Sequence, residues 1–181
     1  APKGGVAVFV VDSGICPEFV GGRLGGYKTS DFSDGKKSGD IGHGSIVAKI
    51  VRKAAEKAEI VSLNIYESAQ KQENLNGILE ALLKVLVYKE ANPGARVVVN
   101  FSIGTNHDWP LERILINLLN DRGVQIVAGI GKDSQEQFYP AAYVEVLTVA
   151  GESLLGKQGC PEYVDVIAPD KISGRYTYAR G

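Results

Sequence analysis

The sequence lacks several features that would place it in a special class of protein. Its 181 residues include no methionine, two cysteines and one tryptophan, and the formal net charge is −1. No apolar run approaches the roughly 20 residues that a membrane-spanning helix needs. The near-zero charge gives no reason to expect a nucleic-acid partner or an anionic membrane. The lack of methionine, and a start at Ala1 without a signal-peptide pattern, predict a processed or excised piece of a longer protein.

What remains is an ordinary globular composition, with 44% hydrophobic and 23% charged residues. A chain of this length predicts one domain with a core of its own. Cys16 and Cys160 allow one disulfide without requiring it, and two unpaired thiols remain an equal alternative. Neither cysteine belongs to a Cys-x-x-Cys pair, so we expect neither a zinc site nor a thioredoxin-like motif.

Short apolar runs alternate with helical patterns along the chain. The β-branched run at residues 6–11 is typical of a strand buried on both faces. Further strands are predicted at 60–65, 96–103, 124–130, 144–150 and 164–168, and helices at 45–58, 76–92 and 111–122. This alternation predicts right-handed crossovers and an α/β fold with a three-layer, doubly wound, mostly parallel sheet. Functional residues of such sheets gather at the carboxyl ends of the strands.

The helical period predicts which side chains face the core. It selects three sets, one for each helix: Ile46, Val47, Ile50, Val51 and Ala54; Ile78, Leu79, Leu82, Val85 and Leu86; and Ile114, Leu115, Leu118 and Leu119. Glu80 and Lys84 form an i,i+4 pair on the far face of the second helix. Gly123 stands where a glycine would end the third helix.

Asp12 and His43 are the residues best placed to carry chemistry. Asp12 follows the first strand, at the predicted functional edge, although an aspartate that only caps a turn is an equal alternative. His43 lies between two glycines directly before a helix, and a general base needs an imidazole held by a carboxylate. His107, the other histidine, lies in a polar turn. Taken singly, neither Asp12 nor His43 decides between a functional and a structural role.

Taken together, six segments resemble the subtilisin-like serine proteases, the subtilases. Val-Val-Asp-Ser-Gly around Asp12 resembles their Asp motif, and His-Gly-Ser-Ile-Val-Ala from His43 resembles their His motif. Asn-Phe-Ser-Ile-Gly at 100–104 resembles the strand that lines the substrate cleft. Residues 123–131 resemble the strand that leads to the oxyanion-hole asparagine. Tyr-Pro-Ala at 139–141 and Val-Asp-Val-Ile-Ala-Pro at 164–169 match two further signatures, and the order of all six agrees.

The resemblance implies a role for each matched residue. Asp12 would orient His43, and His43 would take a proton from the nucleophile and return it to the leaving amine. Ser102, Ile103 and Gly104 would pair with an extended peptide as an added strand. The implied protein is a secreted or extracellular endopeptidase that acts on peptide or protein substrates, with a propeptide or a C-terminal segment as a possible partner.

The sequence departs from the family pattern in two ways that bear on catalysis. The nucleophile of the family lies in a Gly-Thr-Ser-x-Ala motif, which this sequence does not contain, and Gly181 falls where the glycine of that motif would be. We therefore expect a C-terminally incomplete domain that is inactive as an isolated chain. The oxyanion-hole asparagine is replaced by Lys132, whose ammonium is longer and more strongly hydrated than an amide.

Cofactor sites are weakly indicated. Asp31, Asp34 and Asp40 are close in sequence and could bind calcium, as family members often do, but their spacing fits no loop rule and solvated surface is the preferred interpretation. No other metal site is expected. The glycines at 21–26 do not open a helix after a strand, which argues against a phosphate cradle.

Three hypotheses follow from the sequence. The first is a subtilisin-like endopeptidase that works through an acyl-enzyme. The second is a non-catalytic, peptide-binding pseudoprotease, for which Lys132 is the main argument. The third is an unrelated doubly wound nucleotide-binding module, which only the fold class supports.

Overall fold

The structure, a computed structural model, describes residues 5–33, 41–66, 75–130, 137–152 and 161–169. The strands are β1 (Val6–Asp12), β2 (Leu24–Gly25), β3 (Glu59–Asn64), β4 (Arg96–Phe101), β5 (Val124–Gly129), β6 (Leu147–Gly151) and β7 (Val166–Ala168). The α-helices are α1 (Pro17–Val20), α2 (His43–Ala54), α3 (Leu75–Ala91) and α4 (Pro110–Asn120), and a short 3-10 helix covers Thr29–Phe32. Within these ranges, no helix is both long and apolar enough to span a membrane.

The seven strands form one sheet in the order β2-β3-β1-β4-β5-β6-β7, and every neighbouring pair is parallel. The predicted α/β class and parallel sheet are confirmed. β1 lies between β3 and β4, with Asp12 opposite Asn64 and Val11 opposite Phe101. The carboxyl ends of these strands therefore meet at one edge of the sheet, as expected.

Each face of the sheet has its own apolar core, which gives the fold its three layers. Alternating residues of β1 explain this, because successive side chains of a strand point to opposite faces. Phe9 and Val11 pack on the face covered by α3 and α4, whereas Val10 packs on the face covered by α1 and α2. β1 is thus buried on both faces, as its β-branched run predicts.

Helix α4 differs from the prediction in the face that it buries. Its buried residues are Glu112, Leu115, Ile116 and Leu119, whereas Ile114 is 53% exposed and Leu118 is 36% exposed. The helix is rotated about its axis relative to the predicted orientation, so that a glutamate takes a core position. Gly123 has a φ of +71° just beyond the helix, in agreement with its predicted role in ending it.

Helix α2 begins at His43, two residues before the predicted start, and ends at Ala54, four residues before the predicted end. Its fully buried residues are the small side chains Gly44, Ser45 and Ala48 together with Val47, while Ala54 is exposed and Ile46 and Ile50 are half-buried. Small residues on this face allow the helix to approach the sheet closely. The predicted α3 face agrees better, since Ile78, Leu82 and Val85 are buried.

Strand boundaries differ most after residue 140. The predicted strand at 144–150 begins only at Leu147, and Val144 is 86% exposed. The preceding backbone forms local turns instead, because Tyr143 N donates to Pro140 O and Val146 N donates to Tyr143 O. β4 likewise ends at Phe101, so residues 102–104 lie beyond the strand rather than in it.

Candidate active site

Asp12 is the last residue of β1, and its carboxylate is buried, with a side chain only 2% exposed. The backbone of Ser13 donates to Asp12 Oδ1 at 2.7 Å. The backbone carbonyl of Asp12 accepts from Ile65 N at 3.1 Å, which ties it to the end of β3. A carboxylate that accepts this hydrogen bond, on a backbone that is itself held by β3, can hold a partner in one orientation.

His43 is that partner. Its Nδ1 lies 2.9 Å from Asp12 Oδ1 and 2.8 Å from Oδ2, so the ring donates its Nδ1–H to the carboxylate. This hydrogen bond raises the pKa of His43 above its ordinary value, burial opposes the rise, and attraction to the Asp12 charge adds to it. The predicted contact is present, and His43 is the first residue of α2 rather than the residue directly before the helix.

The second ring nitrogen of His43 is available for proton transfer. The side chain is 46% exposed, and Asp12 is its hydrogen-bond partner among the described residues. Since Nδ1 carries the proton, Nε2 of the neutral ring holds a lone pair. A buried carboxylate that orients a half-exposed imidazole is the arrangement that a general base requires.

The positions of the loops around this pair depend on two serine hydroxyls that sequence reasoning did not single out for this purpose. Ser13 Oγ accepts from Gly44 N at 3.2 Å, which joins the end of β1 to the first turn of α2. Ser45 Oγ accepts from Cys16 N at 2.7 Å. Ser13 belongs to the matched Asp motif and Ser45 to the matched His motif. Membership in these motifs is the sequence signal by which the two serines could have been identified.

The predicted peptide-binding residues continue β4 at the same edge. Ser102 is exposed and accepts a hydrogen bond from Asn100 Nδ2 at 2.9 Å, and Ile103 packs partly against the core. Within the described part of the chain, Ile103 and Gly104 make no backbone hydrogen bond. Gly104 packs so closely on the next segment that a Cβ atom would lie 2.3 Å from Tyr139 O.

Two other predicted sites fall partly or wholly outside the described residues. Lys132 lies outside them, as do Asp34 and Asp40. The third aspartate, Asp31, is fully buried, and its carboxylate accepts from the backbone amides of Tyr27, Lys28 and Asn64 at 2.8–2.9 Å. It therefore organises the turn between β2 and the 3-10 helix. Among the described residues, no group of three or more His, Cys, Asp or Glu side chains is arranged to hold a metal ion.

Of the two cysteines, for which a disulfide and two unpaired thiols were equal alternatives, Cys160 lies outside the described residues. Cys16 is half-buried and carries a free thiol, which lies 3.2 Å from a carboxylate oxygen of Glu18. This hydrogen bond helps to lower the pKa of Glu18, after the larger effect of a backbone hydrogen bond.

Comparison with known proteins agrees with this geometry. The minor extracellular protease Epr of Bacillus subtilis (strain 168) is 31% identical over 151 residues, which are 80% of this chain and 23% of that protein. Two solved structures, an S41 psychrophilic protease and sphericase, superpose with a TM-score of 0.62 each, at 20% and 18% identity. The chain is a subtilisin-like domain. A comparison with protein-family models gave no match.

Each comparison aligns most of this chain with a smaller fraction of the other protein. The solved structures match 82% of the subtilisin-like domain, which in turn spans 54% of each of their chains and 23% of Epr. At 20% identity or less, the solved structures establish the fold. The activity of the whole protein is therefore argued separately below.

Proposed function

We propose that this subtilisin-like domain belongs to a serine endopeptidase that cleaves extended peptide chains through an acyl-enzyme. The contact of His43 Nδ1 with both carboxylate oxygens of Asp12, at 2.9 and 2.8 Å, is the observation that carries the proposal. In the reaction, Nε2 of His43 accepts the serine hydroxyl proton as the serine oxygen attacks the peptide carbonyl carbon. The same proton passes to the leaving amine when the peptide bond breaks, and water then hydrolyses the ester.

Asp12 has two tasks in this scheme. It fixes the tautomer in which Nε2 is the base, and its negative charge stabilises the imidazolium that forms during attack. The raised pKa of His43 supports the second task, because it reflects stabilisation of the protonated ring by Asp12. Burial of the carboxylate strengthens the effect by keeping water from screening it.

The substrate would bind along residues 102–104. These residues extend β4 beyond its last sheet partner, and the backbone groups of Ile103 and Gly104, which have no hydrogen-bond partner within the described part of the chain, suit an added peptide strand. Backbone pairing of this kind gives affinity with little sequence selectivity. The substrate is therefore a peptide or an unfolded protein segment. Because Epr is named as an extracellular protease, we infer that this protein is secreted too.

The nucleophile must come from elsewhere in the protein. Among the described residues no serine hydroxyl is a hydrogen-bond partner of His43, and the sequence has no Gly-Thr-Ser-x-Ala motif. The test therefore uses the full-length product of the gene that encodes this chain. It compares hydrolysis of fluorescein-labelled casein by the wild type, Asp12→Asn and His43→Ala.

We expect each of the two substitutions to lower kcat by about 10⁴-fold, because the proton acceptor is lost or held in the wrong tautomer. Asp121→Asn, which changes an exposed aspartate at the end of α4, is the matched control and should leave kcat unchanged. Wild-type hydrolysis that survives both substitutions would contradict the proposal.

The second candidate is a peptide-binding pseudoprotease, which the lysine at position 132 favours. A lysine in place of the oxyanion-hole amide removes a donor that typically contributes about 3–4 kcal/mol to the transition state. The same casein experiment separates the two functions. Binding of casein, followed by fluorescence anisotropy, without any hydrolysis by the full-length protein would establish the pseudoprotease and exclude the peptidase.

A further inference from the structure

A polar cluster of two buried side chains, Glu112 and Tyr143, and one exposed side chain, Asp108, lies beneath the proposed peptide-binding edge. Two segments meet there, the loop 104–109 that follows the edge and the segment 137–146. They are joined by a reciprocal bridge in which Thr105 N donates to Tyr139 O at 2.9 Å and Tyr139 N donates to Thr105 O at 2.7 Å. The rings of Tyr139 and Tyr143 lie 4.8 Å apart, so the bridge rests on Tyr143.

The Tyr143 hydroxyl is the centre of the cluster. Tyr143 is 3% exposed, and its hydroxyl lies 3.0 Å from Asp108 Oδ1, 3.4 Å from Glu112 Oε2 and 3.4 Å from the carbonyl oxygen of Trp109. Glu112 is 1% exposed, and its other oxygen, Oε1, is buried without a hydrogen-bond partner among the described residues. Glu112 of helix α4 is thus linked to both segments through the hydroxyl of Tyr143, which also contacts Asp108 of the loop 104–109.

The number of available protons determines which groups of this cluster donate hydrogen bonds and which accept them. The tyrosine hydroxyl has one proton to donate, whereas an ionised carboxylate can only accept. The shortest contact gives that proton to Asp108. Glu112 can then interact favourably only if it is protonated and donates to the Tyr143 oxygen. If Glu112 were ionised, it would compete for that one proton with Asp108, which is exposed and can also be hydrated, and without the proton the buried Glu112 charge would have no donor.

The surroundings of Glu112 favour the protonated form. Burial raises the pKa of Glu112 to about 7, and the Asp108 charge adds to the rise, whereas a hydrogen bond donated by Tyr143 to the ionised carboxylate would lower it. Burial and the two carboxylates also raise the pKa of Tyr143, which therefore keeps its proton. The guanidinium of Arg113 lies over the Tyr143 ring, 5.7 Å from its centre, and within the described ranges it forms no ion pair with a carboxylate.

We propose that Glu112 and Tyr143 are positioning residues, which hold the peptide-binding edge through the chain Glu112 to Tyr143 to Asp108 and release it when Glu112 loses its proton. The inference rests on the proposed function for the role of the edge. Gly104 and Thr105 follow Ile103 directly, and their close packing on Tyr139 is what the cluster supports. Loss of the Glu112 proton places a second negative charge beside Asp108, and the loop carrying Asp108 moves away.

The test measures hydrogen exchange of the Thr105 and Tyr139 amides between pH 5.5 and 8.5, corrected for the intrinsic pH dependence of exchange. In the wild type we expect protection to fall about tenfold or more with a midpoint near pH 7, because the bridge opens as Glu112 ionises. In Glu112→Gln, which cannot ionise, protection should stay constant across the range. Glu80→Gln, at an exposed position on α3, is the matched control and should keep the wild-type step.

A step that persists in Glu112→Gln would overturn the proposal, as would constant protection in the wild type. Should Glu112→Gln fail to fold, Tyr143→Phe serves instead, because it removes the link between the two carboxyl groups and should lower protection at every pH without a step. Binding of fluorescein-labelled casein by the same proteins tests the proposed function separately. A wild-type exchange step that Glu112→Gln abolishes, without casein binding, would contradict the peptide-binding function and still support the positioning role.

Discussion

Gly44 lies so close to Gly14 that a Cβ atom on Gly44 would stand 2.2 Å from the carbonyl oxygen of Gly14. The same atom would lie 3.2 Å from the carboxylate of Asp12. The first turn of α2 can therefore reach the end of β1 only because residue 44 has no side chain. This close approach is what brings His43, the preceding residue, within hydrogen-bond distance of Asp12.

The first prediction concerns this contact. Gly44→Ala should lower the free energy of unfolding by about 1–3 kcal/mol, because the new methyl group displaces α2 from β1. It should also bring the pKa of His43 back toward its ordinary value as the bond to Asp12 lengthens. Chemical denaturation and NMR titration measure the two effects. At Gly94, where a Cβ atom meets nothing within 4 Å, Gly94→Ala should change neither; equal effects of the two substitutions would refute the explanation.

The second prediction concerns the electrostatics of the Asp12–His43 pair. Because Asp12 raises the pKa of His43, the pair stabilises the folded state below pH 6.5, and this stabilisation is lost as pH rises through the folded-state pKa. Asp12→Asn should lower the pKa of His43, as followed by NMR of the imidazole protons. It should also weaken this part of the pH dependence of unfolding. An unchanged His43 titration in Asp12→Asn would show that the contact is absent in solution.

The third prediction concerns the isolated chain of 181 residues. A fluorophosphonate probe, which reacts with activated serines, should not label it, since no serine hydroxyl among the described residues contacts His43. Labelling is measured by intact mass, with an active subtilisin as the positive control. Stoichiometric labelling at any serine of this chain would show that a nucleophile is present after all.

The fourth prediction concerns Lys132 in the full-length protein. An oxyanion-hole group acts on charge that develops in the transition state, so it changes kcat more than KM. We expect Lys132→Asn to raise kcat for casein hydrolysis by about tenfold, with KM nearly unchanged, because an amide replaces a mobile, hydrated ammonium. Lys132→Ala, which supplies no donor, should show no such gain. If both variants stay within about twofold of the wild type, the side chain at this position has no part in the hole.

The fifth prediction concerns the stability of the polar cluster. Folded protein keeps the Glu112 proton up to about pH 7, whereas the unfolded chain loses it near 4.5, so stability falls as pH rises between these values. The difference in unfolding free energy between wild type and Glu112→Gln should therefore change by at most about 3 kcal/mol across this window. Denaturation at several pH values measures it.

A variant of opposite sign controls for this effect. The hydrogen bond from Lys84 lowers the pKa of Glu80, so that residue stabilises the folded state above its unfolded pKa and loses this contribution as pH falls. Glu80→Gln should therefore shift the pH dependence slightly in the other direction. Equal slopes for Glu112→Gln and wild type would show that Glu112 is ionised in the folded protein.

The sequence predicts the sheet well because β1 and its neighbours are buried on both faces, and such strands are read directly as apolar runs. It also identifies Asp12 and His43, since each lies in a motif whose position relative to the sheet edge is fixed. Gly44 belongs to the same motif as His43, and its close packing on Gly14 and Asp12 places the first turn of α2 against the end of β1.

Prediction fails where tertiary packing selects between two equally regular helix faces. In α4, Ile114 and Leu118 continue an apolar stripe, but residues 112, 115, 116 and 119 have a helical period that is just as regular. The sequence favours the first face because it excludes a glutamate from the core. The structure buries Glu112 nevertheless, since Tyr143, which is distant in sequence, gives it a hydrogen-bond partner. The short α1, β2 and 3-10 elements are missed because they carry too few residues for any period.

The position of β1 between β3 and β4 has a consequence for the order in which the chain folds. Val8 pairs with Ile60 on one side and with Val98 on the other. The central strand therefore cannot pair until the residues about fifty and about ninety positions later in the chain have been synthesised. During synthesis, Asp12 and His43 leave the ribosome long before the strands that enclose β1. Such long-range pairing slows folding, because the entropy of closing large loops is lost before the contacts form. The apolar first strand is thus exposed to aggregation or to chaperones until Phe101 has emerged.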